Sequence, residues 1–282
     1  MATTLQEFKK SKEYLICVDS DGCAVDTMDI KHKRCFGPCI IPEWGLETWK
    51  KEILERWDEI NLYSMTRGIN RFKGLAMILE EINARFTPIE GVKELRAWVD
   101  HAKELSNGAL EAEIARNDAP ILKKALSWSY AVNRGITALP WEVKKAFAGV
   151  AEGFDAVRPF ADIVIVSSAN RDAVMEEWEK FGLLDRVDLV LCQDVGSKAH
   201  CIAELKKKGY AEDHILMVGD APGDKAAAEQ NGVFYYPILV RHETESWEEF
   251  PHAARLLKEG QYAPYGAEKE AEFLRNLSGG EV

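Results

Sequence analysis

The chain has 282 residues, with 36 lysines and arginines against 47 aspartates and glutamates, a formal net charge of −11. That balance argues against a general nucleic-acid or anionic-membrane binder, because no net positive field draws phosphates in. Hydrophobic residues at 46% and charged residues at 29% describe an ordered chain long enough for a large core or two domains.

The first segment, Met1 to Lys10, has no apolar signal core. No later run approaches the roughly 18 apolar residues of a spanning helix, so a cytoplasmic protein is expected. Tyr14–Val18 is a short, nearly continuous apolar run that predicts a buried strand, and it ends abruptly in Asp19-Ser20-Asp21-Gly22. The interval from about Met28 to Gly153 then changes character. Trp49, Ile53 and Trp57 recur at four-residue spacing, and Leu75, Ile78, Leu79 and Ile82 form a second stripe. Further helices are expected over 91–102, 119–132 and 141–154. Within this interval, Arg67, Arg71 and Lys73 could meet a phosphorylated or carboxylated substrate, or mark an exposed helix start. His32, Cys35 and Cys39 lack a clear fourth ligand and do not read as a zinc site. Trp44, Trp49 and Trp57 read as helix packing rather than a base-stacking platform.

Strand-like runs resume at Ile163–Val166, Val187–Cys192, Ile215–Val218 and Val233–Tyr236, separated by helical segments at Arg171–Phe181 and Lys198–Lys208. The latter ends in a basic turn followed by Gly209, a common helix stop. This alternation predicts an α/β fold: a Rossmann-like doubly wound parallel sheet with an inserted, mainly α-helical domain. The expected boundaries are 1–27 and 155–282 for the sheet domain and 28–154 for the insertion. A last helix is expected over 267–277, with fraying at 278–280. The six cysteines form no dense disulfide framework.

In such a sheet a ligand site lies beyond the C-terminal strand ends, where the chemistry-bearing residues fall. Asp19 and Asp21 follow the first strand at a spacing that permits a nucleophile and an acid/base. Asp220 and Asp224, in Gly219-Asp220-Ala221-Pro222-Gly223-Asp224, follow Ile215–Val218. Carboxylates at a core boundary are costly unless a cation or hydrogen bonds compensate them, and hard oxygen donors suit Mg²⁺. Ser167 follows Ile163–Val166 and Lys198 begins the next helix but one; both suit a bound phosphate, and Arg171 could reach the substrate mouth. Each feature alone also reads as an ordinary turn, cap or surface group. Their conjunction at four strand ends carries the inference.

The ordered set resembles the haloacid dehalogenase-like phosphatase superfamily: Asp19-Ser20-Asp21, Ser167 after its strand, Lys198 in Gly196-Ser197-Lys198-Ala199, and the Gly219–Asp224 stretch. The insertion is placed like the helical cap of many such proteins. The resemblance implies Asp19 as nucleophile and Asp21 as acid/base. It further implies Mg²⁺ on Asp19, the Asp21 carbonyl and Asp220, with Asp224 in support, and the transferring phosphoryl group on Ser167 and Lys198. The activity so implied is hydrolysis of a small phosphorylated metabolite, with a sugar phosphomutase or a silent phosphometabolite-binding protein as alternatives. Neither nucleic acid nor membrane is expected as a partner, and no oligomeric state is assigned.

Overall fold

Tyr14-Leu15-Ile16-Cys17-Val18 is apolar throughout and forms a strand buried along its whole length, β1 (Tyr14–Val18). It is central to the sheet of the computed structural model, which describes residues 4–279. The chain then turns through Gly22, at φ 82°, into a two-residue strand, β2 (Val25–Asp26), and a short helix, α1 (Met28–Lys31). There the fold divides. Of the described residues, 4–28 with 144–279 form one compact unit, and 29–143 form a second.

The second unit is helical. A π-turn at His32–Phe36 leads into α2 (Gly37–Trp44), followed by α3 (Lys50–Leu62), α4 (Arg71–Arg85), α5 (Val92–His101), α6 (Asn107–Arg116) and α7 (Pro120–Thr137). Both predicted stripes are buried in its core, except that Trp49 lies at the margin. Trp57 and Trp128 are fully buried at its centre with ring centroids 6.0 Å apart, edge to face. Each indole N–H is satisfied: Trp57 donates to His32 Nδ1 and Trp128 to the Phe36 carbonyl. Truncating either ring would cost about 3–5 kcal/mol by loss of packing. Two helices here have no sequence expectation. The α2 segment carries Pro38 and Pro42, which read as breakers, but Pro38 occupies the first turn, where no N–H is needed. In α6 only Leu110 is fully buried, so no stripe announces it.

The chain returns through β3 (Lys145–Ala146), antiparallel to β2, with Val25 opposite Ala146 and Asp26 opposite Lys145. The helix expected over 141–154 is therefore broken in three: a 3-10 turn at Trp141–Val143, β3, and α8 (Val150–Val157). Pairing with β2 captures residues 145 and 146. Gly149, at φ 86°, then opens α8 where a Cβ would meet Trp247 Cβ at 2.9 Å. The return accordingly falls at residue 144 rather than 155, and α8 packs in the sheet unit.

The remaining elements alternate as expected: β4 (Ala161–Val166), α9 (Arg171–Lys180), β5 (Leu189–Leu191), α10 (Lys198–Lys206), β6 (Ile215–Gly219), α11 (Pro222–Asn231), β7 (Phe234–Pro237), α12 (Glu243–Lys258) and α13 (Tyr262–Leu277). Strand order is β5-β4-β1-β6-β7, parallel at every pairing. Ile16 and Val18, Ile163 and Ile165, and Leu216 and Val218 pack in one core with Phe154 of α8, Trp178 of α9, and Trp247 and Phe250 of α12. The alternate residues Leu15, Cys17 and Met217 are equally buried on the other face. Burial on both faces explains why these strands read as continuous apolar runs. Of the frayed end expected at 278–280, Gly280 lies outside the described residues, as do Met1–Thr3 of the N-terminal segment. Among the described residues no helix is long and apolar enough to cross a membrane.

Candidate active site

Register alone places the predicted residues at neighbouring strand ends. Val18 pairs with Ile165 on one side and Val218 on the other, so Asp19 leaves β1 between the ends of β4 and β6. The Asp19 N–H donates to the Val218 carbonyl at 2.9 Å, which ties the first acidic turn to the strand that delivers Asp220. Asp224 comes from the first turn of α11 and accepts the Ala221 N–H at 3.1 Å. Lys198 is the first residue of α10, whose N-cap Ser197 accepts the His200 N–H at 3.2 Å.

The side chains converge. Carboxylate oxygens of Asp19, Asp220 and Asp224 lie within 4.8 Å of one another, all three residues buried. Lys198 Nζ sits 2.8 Å from Asp19 Oδ2 and 2.5 Å from Asp224 Oδ1. Burial pushes the Asp19 carboxyl up to about 6; Lys198 opposes the rise and Asp224 adds to it. Burial likewise raises Asp224, again against Lys198. For the Lys198 ammonium burial works downward, but Asp19 and Asp224 together hold it above its ordinary value. Three carboxylates face one ammonium, and a divalent cation brings the set to neutrality. Hard, close-set oxygen donors in a buried site are what such a cation takes.

The other predicted residues are placed as follows. Asp21 is half-buried, and Thr27 Oγ1 donates to its Oδ1 at 2.7 Å. Ser167 is buried just past β4, with its N–H on the Leu191 carbonyl and its Oγ accepting the Ala169 N–H at 3.2 Å. Arg171 Nε pairs with Asp194 Oδ2 at 2.9 Å. In the helical unit, Arg67 is buried and donates from Nη1 to the Leu62 carbonyl, while Lys73 is exposed on α4. Arg71 is half-buried. Its Nη1 meets Ser129 Oγ at 3.0 Å and Asn133 Oδ1 at 2.7 Å, and its guanidinium lies over the Phe36 ring. Those partners are all neutral, and burial lowers its pKa to about 10.

Several supporting residues carried no sequence signal. Thr27 orients Asp21 from across the turn. Tyr235 Oη donates to the Gly219 carbonyl at 2.9 Å, one residue before Asp220. Trp178 and Trp247 donate to Ser20 Oγ and the Cys23 carbonyl, both at 2.8 Å. Among these, Thr27 alone lay close enough in sequence to the first acidic turn to be suspected.

Residues 114–237 match a family model described as haloacid dehalogenase-like hydrolase. The matched stretch carries Ser167, Lys198, Asp220 and Asp224; Asp19 and Asp21 precede it. No curated protein matches the sequence. Among solved structures, a haloacid dehalogenase-like family hydrolase from Xanthomonas campestris is 15% identical, with 90% of this chain and 95% of that chain covered, at a TM-score of 0.50. A hydrolase of the same family from Deinococcus radiodurans, with bound phosphate and sodium, is 15% identical over 81% of each chain, at a TM-score of 0.45. A haloacid dehalogenase-like hydrolase from Streptococcus pneumoniae is 12% identical, covering 83% of this chain and 90% of that chain, at a TM-score of 0.43. The Xanthomonas structure corresponds to this chain in fold.

Proposed function

We propose for this chain, whose residues 114–237 match the haloacid dehalogenase-like hydrolase family model, the activity of a cytoplasmic, Mg²⁺-dependent phosphatase acting on a small organic phosphate monoester. The observation that carries the reading is the meeting of Asp19, Asp220 and Asp224 around Lys198 at the C-terminal ends of β1 and β6. Asp19, the Asp21 carbonyl and Asp220 would hold Mg²⁺, supported by Asp224. Bound there, the ion supplies charge neutralisation for phosphate oxygens.

The side chains divide the work. Asp19 attacks phosphorus; the bond from phosphorus to the ester oxygen breaks, and Asp21 gives its proton to the departing alkoxide. The product is an aspartyl phosphate on Asp19. Asp21, now a carboxylate, takes a proton from water as that water attacks phosphorus, and inorganic phosphate leaves with Asp19 restored. Thr27 orients the Asp21 carboxyl for both transfers. Lys198 and Ser167 hold the transferring phosphoryl group, and Lys198 keeps Asp19 ionised against its burial. Among the proposed substrate-recognition residues Arg67, Arg71, Lys73 and Arg171, Arg71 has the most fitting chemistry. A desolvated guanidinium with neutral partners suits an anionic group of the substrate.

The test is phosphate release from a broad panel of phosphate monoesters, with Mg²⁺ or with chelator, beside Asp19→Asn. Selective, metal-dependent release that disappears in Asp19→Asn is expected. Full-rate release by Asp19→Asn sinks the mechanism, and phosphate moving between two positions of a sugar without release replaces hydrolysis by a mutase.

A further inference from the structure

Two buried indoles close on the turn that presents the reacting aspartates. The turn is short: the Ser20 carbonyl accepts from the N–H groups of Cys23, Ala24 and Val25, and the Gly22 N–H returns to the Val25 carbonyl. Trp178, on α9, donates its Nε1–H to Ser20 Oγ at 2.8 Å. Trp247, on α12, donates its Nε1–H to the Cys23 carbonyl at the same distance. Ser20, Trp178 and Trp247 are all fully buried. One indole therefore grips the residue before Asp21 and the other the second residue after it.

The indoles have little freedom to drift. Phe154 stacks on Trp178 with centroids 5.8 Å apart and meets Trp247 edge-on at 5.6 Å. Trp247 also packs edge-on against Phe250 at 5.2 Å. Its side chain fills space left by two glycines of the α8 region. A Cβ on Gly149 would come within 2.9 Å of Trp247 Cβ, and one on Gly153 within 3.2 Å of Trp247 Cε3. A core at this density transmits displacement rather than absorbing it. Packing alone does not need the polar atoms. Alanine in place of Ser20 and a phenyl ring in place of either indole would satisfy an apolar core, whereas a buried donor is costly unless paired.

We propose that Trp178 and Trp247 are positioning residues for phosphoryl transfer: their indole N–H groups, on Ser20 Oγ and the Cys23 carbonyl, hold the Asp19–Cys23 turn so that Asp19 and Asp21 face the phosphoryl group in register. The assignment rests on the phosphatase reading. Its expected size follows from the sensitivity of such reactions to geometry, where a misplacement of about 1 Å costs about a hundredfold in rate.

The experiment compares Trp178→Phe, Ser20→Ala, their double variant and Trp247→Phe with the wild type. Trp128→Phe, in the helical unit, is the control. Two readouts are taken: kcat and KM for p-nitrophenyl phosphate with Mg²⁺, and amide hydrogen exchange of residues 20–25 in metal-free protein. Each single variant is expected to lose about tenfold or more in kcat with KM little changed. The Ser20→Ala/Trp178→Phe pair should lose no more than either alone, since both remove one bond. Exchange should accelerate at 20–25 while β4 keeps its protection, and Trp128→Phe should keep the wild-type kcat. Should Trp178→Phe fail to fold, Ser20→Ala tests the same bond. Unchanged kcat in Trp178→Phe and Ser20→Ala overturns the assignment, as do additive losses in the double variant. If the wild type hydrolyses no phosphate ester, the phosphatase reading falls by itself, and unaltered exchange at 20–25 in these variants then rejects the clamp separately.

Discussion

Lys198 Nζ lies 2.5 Å from Asp224 Oδ1, joining the first residue of α10 to a fully buried carboxylate in the first turn of α11. The same nitrogen reaches Asp19 Oδ2 at 2.8 Å. One ammonium thus serves two carboxylates whose proton affinity burial raises.

Removing that ammonium should unmask the acidic cluster. Lys198→Met leaves Asp19, Asp220 and Asp224 together without their shared cation, and breaking a buried pair from one side costs about 3–5 kcal/mol. The expected result is a lowered urea midpoint in chelator that Mg²⁺ partly restores, with phosphate release lost in both conditions. Equal midpoints for variant and wild type in chelator would show that Lys198 does not hold the carboxylates in place.

Gly219 offers a second test from the backbone side. A Cβ there would lie 2.5 Å from Asp224 Cβ, closer than real side chains approach. Asp224 is fully buried and held by Lys198 and Ala221, so it cannot swing clear. Gly219→Ala should destabilise the protein by about 1–3 kcal/mol through overpacking and disable hydrolysis. Wild-type activity in a stable Gly219→Ala protein would mean that Asp224 has more room than its contacts indicate.

What the sequence made legible follows from how local each signal is. The strand ends are readable because β1, β4 and β6 are covered on both faces, so apolar runs stop where Asp19, Ser167 and Asp220 open the polar turns. Lys198 was readable as a helix-start cation, but its two carboxylate partners lie 179 and 26 residues away and leave no spacing to detect. Trp178 and Trp247 carry no local signal in the sequence; the role of each depends on one N–H meeting the acidic turn. The helix that the sequence predicts over 141–154 is interrupted because β3 gains its strand character from pairing with Val25 and Asp26, more than a hundred residues earlier.

The helical unit should show a pH signature of its own. Burial pushes the half-buried Asp58 carboxyl up to about 6, with Lys33 pulling it down and Asp29 pushing it further up. An unfolded aspartate titrates near 3.9, so between about pH 4 and 6 the folded state binds more protons than the unfolded one. Stability contributed by this group is then lost as pH rises through that window and stays level above it. Half-burial and screening reduce the effect to on the order of 1 kcal/mol. Asp58→Asn should match the wild type near pH 4 and exceed it by about that amount at pH 7, read as the difference in urea midpoints. A difference that does not change with pH would rule out the shifted carboxyl.

Arg71 separates stability from recognition. Its guanidinium is held by Ser129 and Asn133 and lies over Phe36, with no carboxylate among its partners. A half-buried cation without a counter-charge is a cost to the fold, and replacing it by an apolar side chain of similar length is often neutral or stabilising. Arg71→Met should therefore keep or raise the melting temperature. If the substrate carries an anionic group that Arg71 takes, the same variant should raise KM about tenfold or more, since a charge-assisted hydrogen bond contributes about 1.5–3 kcal/mol. Lys73→Met, two residues on and exposed, should change neither quantity. A clear loss of melting temperature in Arg71→Met with KM unchanged would make the arginine structural and remove it from the recognition set.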